Sequence, residues 1–251
     1  MKKRGVEVTA RTDAAQTVND QILAIQQRLL PEYGPNWHRH SMACMKVEAL
    51  ARTIYYTDLY RKIIEVPGVI CEFGVQWGAT MAQLINLRSV FEPFNHSRMI
   101  YGFDTFEGFP AVTPEDGTET EVGDYASMPG HFETLKELLV LHEAAAPMSH
   151  IKKHALIKGD ASETFPAWAE ENAHAIIAMA IFDMDLYAPT RDILANIEPL
   201  LTKGSILVFD ELNCAQFPGE TKALRETLST SGLRLRRTPM QPFCSWAVWG
   251  D

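Results

Sequence analysis

Residues 181–211 read IFDMDLYAPTRDILANIEPLLTKGSILVFDE. An apolar run over 175–182 ends in Asp183-Met184-Asp185, a helical pattern follows from about 189 to 201, and a second apolar run over 205–209 ends in Asp210-Glu211. Two parallel strands joined by a crossover helix bring their carboxyl ends side by side. Asp183, Asp185, Asp210 and Glu211 then collect at one rim of a sheet, where open α/β folds bind ligands. Clustered carboxylates repel one another unless a cation sits between them, and hard oxygen ligands suit Mg²⁺. The stretch therefore predicts a divalent-metal site on a parallel sheet. Either acidic pair alone has an ordinary explanation in a solvated loop or a helix cap. Two pairs at neighbouring strand ends point to function.

The rest of the chain sets bounds on that reading. With 251 residues, 46% of them hydrophobic, it is long enough for one α/β domain with a full core and an appendage. A net charge of −9 and no long basic run argue against a nucleic-acid backbone as the main partner. Cys44, Cys71, Cys214 and Cys244 are scattered with no CxxC pair, so they read as reduced thiols, and the histidines show no HExxH pattern. No apolar run approaches a membrane span, and MKKRGVEVTARTD lacks the apolar stretch of a signal peptide. The expectation is a soluble cytoplasmic enzyme.

In chain order, residues 1–12 are polar and expected to fray. Residues 13–30 place Val18, Ile22, Ile25 and Leu29 on one face of an amphipathic helix, which Pro31, Gly34 and Pro35 end. Residues 36–40 read as a loop whose His38, Arg39 and His40 either cap the sheet rim or are simply solvated. Ser41 can cap a long helix to about residue 65. A buried strand over 69–73 leads into Gly74-Val75-Gln76-Trp77-Gly78-Ala79-Thr80 and a helix, the arrangement that lets a cofactor approach a helix N-terminus. Its G-x-x-x-G spacing disfavours a nicotinamide dinucleotide. The strand over 99–103 ends in Asp104, where such folds hold ribose hydroxyls, with Phe106 and Phe109 read as core. Residues 113–125 read as a mobile loop, solvated or closing as a lid. A strand over 154–157 ends in Lys158-Gly159-Asp160-Ala161-Ser162, which can admit a purine or simply cap a helix. Strands over 233–238 and 243–249 close the chain, giving five parallel strands and a terminal antiparallel pair.

ICEFGVQWGAT, YGFDTFEGFP, KGDASETFP and FDMDLYAPTRD…LVFDEL, in this order, resemble the class I S-adenosylmethionine-dependent O-methyltransferases, and more narrowly the macrocin, mycinamicin and novobiocin sugar O-methyltransferase family. The resemblance spans about residues 69–228 and is most specific at D-x-D-L-Y-x-x-T. It implies an α/β, Rossmann-like fold with a seven-stranded sheet of order 3-2-1-4-5-7-6, residues 1–66 forming an N-terminal helical extension and 67–251 the methyltransferase domain. It places Glu72, Phe73, Gly74, Val75, Gly78 and Thr80 around the methionine end of S-adenosylmethionine, with Asp183 nearby. Asp104, Thr105 and Phe106 fall at its ribose, and Asp160, Ala161 and Ser162 at its adenine. By analogy with the catechol methyltransferases, Asp183, Asp210 and Glu211 hold Mg²⁺ or another divalent cation. The sugar family usually has Asp-Asp where Asp210-Glu211 stands, and Leu186 replaces the lysine of the catechol enzymes.

Methyl transfer from a sulfonium demands alignment and deprotonation of a weakly acidic alcohol. Asp183 or Asp185 is the expected base. The resemblance implies a sugar acceptor, the 3-hydroxyl of a nucleotide-linked 6-deoxyhexose in antibiotic or surface-glycan biosynthesis, and a homo-oligomer. The alternatives are a phenolic or macrolide-bound hydroxyl, a metal-dependent hydroxylase on the same fold, and a non-catalytic cofactor-binding subunit. Iron oxygenases use histidine ligands, and residues 181–211 contain none.

Overall fold

The computed structural model describes residues 11–251 together with Lys2–Arg4 and Glu7–Thr9. The chain divides into two compact units, Met1–Ile54 and Tyr55–Asp251. The frayed start expected for residues 1–12 falls partly outside the described residues; Lys2–Arg4 and Glu7–Thr9 pair antiparallel.

In the smaller unit, α1 (Asp13–Leu29) opens at Thr12, whose hydroxyl oxygen accepts the Ala15 N–H at 3.2 Å. Its apolar face forms as the periodicity predicts, yet no residue of α1 is buried, and Val18 remains 54% exposed. Two sequence expectations are corrected here. Trp37–His40 is one turn of helix rather than a loop, with His38, Arg39 and His40 exposed. Ser41 does not cap a long helix, because its hydroxyl donates backwards to the Trp37 carbonyl at 2.7 Å and the chain continues as a 3-10 turn, Ser41–Cys44. The long helix α2 (Val47–Lys62) starts six residues later than Ser41.

The larger unit holds a seven-stranded sheet. Its strands are β1 (Val69–Phe73), β2 (Ile100–Asp104), β3 (His154–Lys158), β4 (Ile177–Phe182), β5 (Leu201–Phe209), β6 (Arg236–Arg237) and β7 (Ser245–Val248). They lie in the order β3-β2-β1-β4-β5-β7-β6. The first five are parallel, β7 runs antiparallel to β5, and β6 antiparallel to β7. All five residues of β1 are buried. A parallel strand reads as a continuous apolar run when both faces are covered: Val69, Cys71 and Phe73 enter one core cluster and Ile70 the other. On the first face Phe73 meets Phe103, Phe165 and Phe182 with ring centroids 5.0–5.4 Å apart. Helices α5 (Ala161–Glu171), α6 (Tyr187–Ile197) and α7 (Gly219–Thr227) contribute to that cluster, while α3 (Ala79–Phe91), α4 (His131–Ala144) and the end of α2 contribute to the other.

The loop over 113–125, expected to be mobile, is pinned. Thr113 and Asp116 form a capping box, and Asp116 is 1% exposed. Its Oδ2 accepts from the Thr113 N–H and hydroxyl, and its Oδ1 from the Tyr187 N–H in the first turn of α6. Acidic composition reads as solvated, but here a carboxylate supplies the acceptor that buried backbone donors require.

Candidate active site

The parallel order brings the carboxyl ends of β3, β2, β1 and β4 into one row, so Asp160, Asp104, Glu72 and Asp183 stand along a single rim. Asp104 organises the glycine turn. Its Oδ2 accepts the N–H groups of Val75 and Gln76 at 2.7 and 2.8 Å, and its Oδ1 accepts the Phe106 N–H at 2.6 Å. Oδ2 thus has both acceptor positions filled, whereas Oδ1 keeps one for a ligand hydroxyl. Glycine is required at Gly74 for a reason other than ligand access. With φ +92°, it lies so close to the Asp183 main chain that a Cβ would overlap the Asp183 carbonyl. The Asp183 N–H donates to the Phe73 carbonyl at 2.8 Å, which completes the junction between the ends of β1 and β4. Gly78, at φ +81°, leaves room for the Leu135 side chain of α4.

The other residues expected at the cofactor divide by where their side chains go. Glu72 is 1% exposed at the end of β1. Phe73, Val75, Phe106 and Ala161 belong to the core clusters, so any contribution of Phe73 and Ala161 to a ligand comes through their main chain. Thr80 is buried in the first turn of α3. The Thr105 hydroxyl donates to the Gly108 carbonyl at 2.6 Å and accepts the Glu107 N–H. Asp160 caps α5 by accepting the Ser162 N–H at 2.8 Å. The donor set fits an S-adenosyl group: Asp104 keeps an acceptor position for ribose, and Glu72 supplies a buried carboxylate beside the turn.

Four carboxylates predicted from residues 181–211 come together, and the structure adds a fifth. Asp185 sits in the left-handed region at φ 62° and is 8% exposed. Burial, and then the charges of Asp183 and Asp210, push its carboxyl well above the ordinary range. Burial pushes Glu211 up to about 11, reinforced by Asp185, Asp210, Glu220 and Asp183. Glu220, in the first turn of α7, is 1% exposed, accepts the Glu211 N–H at 2.7 Å, and is raised by burial and by Asp210, Asp185 and Asp183. Cys244, at the β7 end, donates to Asp210 Oδ1 at 3.0 Å. Among the described residues, no three His, Cys, Asp or Glu side chains are grouped closely enough to hold one ion as they stand. The donor chemistry nevertheless fits a hard divalent cation, since it is all oxygen and each carboxylate is crowded by others. Sequence reasoning missed Glu220, Cys244 and Asp116. An acid in a helix's first turn is ordinary, so GETKALRE gives no sign that its first carboxylate is buried.

This sheet order, with a glycine turn after β1 and an acid at the end of β2, defines the fold of the class I S-adenosylmethionine-dependent methyltransferases. Residues 57–231 match the family model described as macrocin-O-methyltransferase (TylF), and the chain belongs to that family. It is similar to CalS11, described as a calicheamicin methyltransferase, with 35% identity over 97% of this chain and 95% of that one and a TM-score of 0.90. A second, apo structure, described as CalS11, TDP-rhamnose 3'-O-methyltransferase, matches at 33% identity over 97% of both chains with a TM-score of 0.82. The O-methyltransferase NovP, at 16% identity over 79% of each chain and a TM-score of 0.58, shares the fold. No curated protein sequence matches. No helix among the described residues is long and apolar enough to cross a membrane, and no disulfide joins the four cysteines.

Proposed function

We propose that this enzyme methylates a sugar, at the 3-hydroxyl of a nucleotide-linked 6-deoxyhexose in natural-product biosynthesis, with a divalent cation at the acidic rim. The observation that carries the reading is the likeness to CalS11 along nearly the whole chain, because that protein is described as acting on the 3'-hydroxyl of TDP-rhamnose. Glu72, the 74–80 turn, Asp104 and the 160–162 turn hold the cofactor, which supplies an electrophilic methyl group when bound. Asp183, Asp210 and Glu211 would hold Mg²⁺, whose positive charge favours the ionised form of an alcohol.

Asp183 or Asp185 takes the proton from the acceptor hydroxyl. Both stand at the end of β4, and the junction of Asp183 with Gly74 fixes the base relative to the glycine turn. Burial of Asp185 raises that carboxylate's proton affinity, which suits a base for a weakly acidic alcohol. The exposed apolar residues Val18, Leu23 and Ile25 of α1 support a homo-oligomer. The scattered cysteines, none in a CxxC pair, support a cytoplasmic setting.

The test is mass spectrometry of products from a panel of nucleotide sugars, finished glycosides and phenols, with and without a chelator. A 14-mass-unit gain on a nucleotide-linked 6-deoxyhexose (about 14 Da, one methyl for one hydrogen), lost on chelation, is the expected result. Methylation of glycosides or phenols alone rejects the acceptor assignment, and full activity in chelator rejects the cation.

A further inference from the structure

We propose that Tyr125 selects a 6-deoxy sugar as the acceptor, its ring presenting the apolar wall on which the methyl group at the sugar's C5 packs. The inference rests on the sugar reading above and adds to it the side chain that tells one hexose from another.

Tyr125 stands between the two halves of the site. Its carbonyl accepts from Gln76 Nε2, in the glycine turn, at 3.4 Å. Its ring meets that of Phe217 edge to face, with centroids 6.2 Å apart, in the loop that follows Asp210 and Glu211. A methyl group held at the glycine turn reaches a hydroxyl beside Asp183 only when the acceptor lies between those two sides, and Tyr125 spans them. On its other side the Tyr125 ring lies 5.3 Å from Phe109. Phe109 and Phe217 are buried, whereas Tyr125 is half-buried, so of the three rings it is Tyr125 that keeps surface for a ligand.

The main chain around Tyr125 is fastened on both sides. The Phe109 N–H donates to the Asp124 carbonyl and the Gly123 N–H to the Phe109 carbonyl, each at 3.0 Å, and the Ser127 hydroxyl donates to the Phe106 carbonyl at 3.1 Å. Gly108 packs so closely on this segment that a Cβ there would come within 2.5 Å of the Asp124 carbonyl oxygen. Tyr125 itself sits at φ 60°, in the left-handed region, where a tyrosine costs free energy that a glycine would not. An aromatic wall and an acidic rim divide the recognition of a sugar between them. Carboxylates accept from hydroxyl groups, and the ring distinguishes the position that lacks one: a methyl group buries apolar area against it, whereas a hydroxymethyl group there gives up water.

The test compares kcat/KM for TDP-rhamnose and for its 6-hydroxy counterpart, at saturating S-adenosylmethionine, in the wild type, Tyr125→Phe and Tyr125→Ala, with calorimetry of S-adenosylhomocysteine binding as the control. General damage to the fold lowers both acceptors alike, so the ratio of the two isolates the contact. The wild type is expected to favour TDP-rhamnose by at least about tenfold, Tyr125→Phe to keep that preference and Tyr125→Ala to lose it to below about threefold, with S-adenosylhomocysteine affinity within about twofold throughout. A preference that Tyr125→Ala leaves unchanged, or that the wild type lacks from the outset, overturns the role of Tyr125 and leaves the sugar reading standing. A wild type that methylates none of the nucleotide sugars in the panel above overturns both. Should Tyr125→Ala not fold, a wild-type crystal grown with TDP-rhamnose and S-adenosylhomocysteine decides: a C5 methyl carbon within about 4.5 Å of the Tyr125 ring supports the proposal, and a longer separation rejects it.

Discussion

Two clusters of buried charge sit in the same unit and are built on opposite plans. At the far end of β3, both carboxylate oxygens of Glu143 of α4 accept from Arg88 Nη2 at 2.8 Å, and the carboxylate pairs with Lys153 at 2.7 Å and meets His154 Nδ1 at 3.1 Å. Burial works against its charge, but these cationic partners prevail and hold the Glu143 carboxyl at about 2. At the carboxyl ends of β4 and β5, the groups acting on Asp185 and Glu211 are burial and other carboxylates, and Glu211 rises to about 11. The first cluster contains its own counter-charge and is a structural pin. The second gathers carboxyl groups that burial and one another's charge push upward, so the protonated forms of Asp185 and Glu211 are favoured. Opposite shifts for Glu143 and Glu211 show that burial alone does not set ionisation; the neighbours do.

The sharpest way to break the contrast is Asp183→Asn. It removes a candidate base and ligand while leaving the Gly74 junction, which is main chain, and turnover is expected to fall by at least about 1,000-fold with cofactor affinity nearly intact. Single-turnover kinetics and calorimetry separate the two, and wild-type-like rates would remove Asp183 from the chemistry. Next in size is Glu143→Gln, which strands Arg88 and Lys153 as buried cations and is expected to cost about 3–5 kcal/mol in urea unfolding. A loss below about 1 kcal/mol would mean that this cluster is not the pin described. The same glutamate sharpens the pH dependence. Its folded value lies below its ordinary 4.5, so the unfolded chain binds more protons and stability is lost as pH falls from about 4.5 to about 2. His154, lowered chiefly by burial, has the same sign and starts the loss as pH falls below its ordinary 6.5. Melting temperature against pH is expected to decline in acid in the wild type and to flatten below pH 4.5 in Glu143→Gln. The smallest effect belongs to Cys244→Ala, which deletes a weak thiol donor to Asp210. A change in kcat/KM of less than about fivefold is expected, and a larger one would give Cys244 a place in the chemistry.

Much of this was legible because the chemistry sits where periodicity is clearest. Apolar runs ending in acids located β1, β2, β4 and β5, and the family resemblance supplied their order; β4 and β5 are parallel neighbours, so Asp183 and Asp210 follow adjacent strand ends. The edges were harder. β5 starts at Leu201 rather than 205 because Gly204, at φ 97°, lets the strand continue through a polar segment that does not alternate. Asp116 and Glu220 were invisible for a different reason: a carboxylate that folds back onto a buried N–H has the same letter as one in water, and only tertiary contacts separate the two. Ser41 misled because a hydroxyl can serve the turn behind it as readily as the helix ahead.

The overlap that a side chain at Gly74 would make with the Asp183 carbonyl has a consequence for redesign. The glycine turn and Asp183 share a peptide-level anchor, so their spacing is set by the main chain rather than by side chains. A side chain at position 74 would therefore part the ends of β1 and β4, whatever is changed elsewhere in the chain.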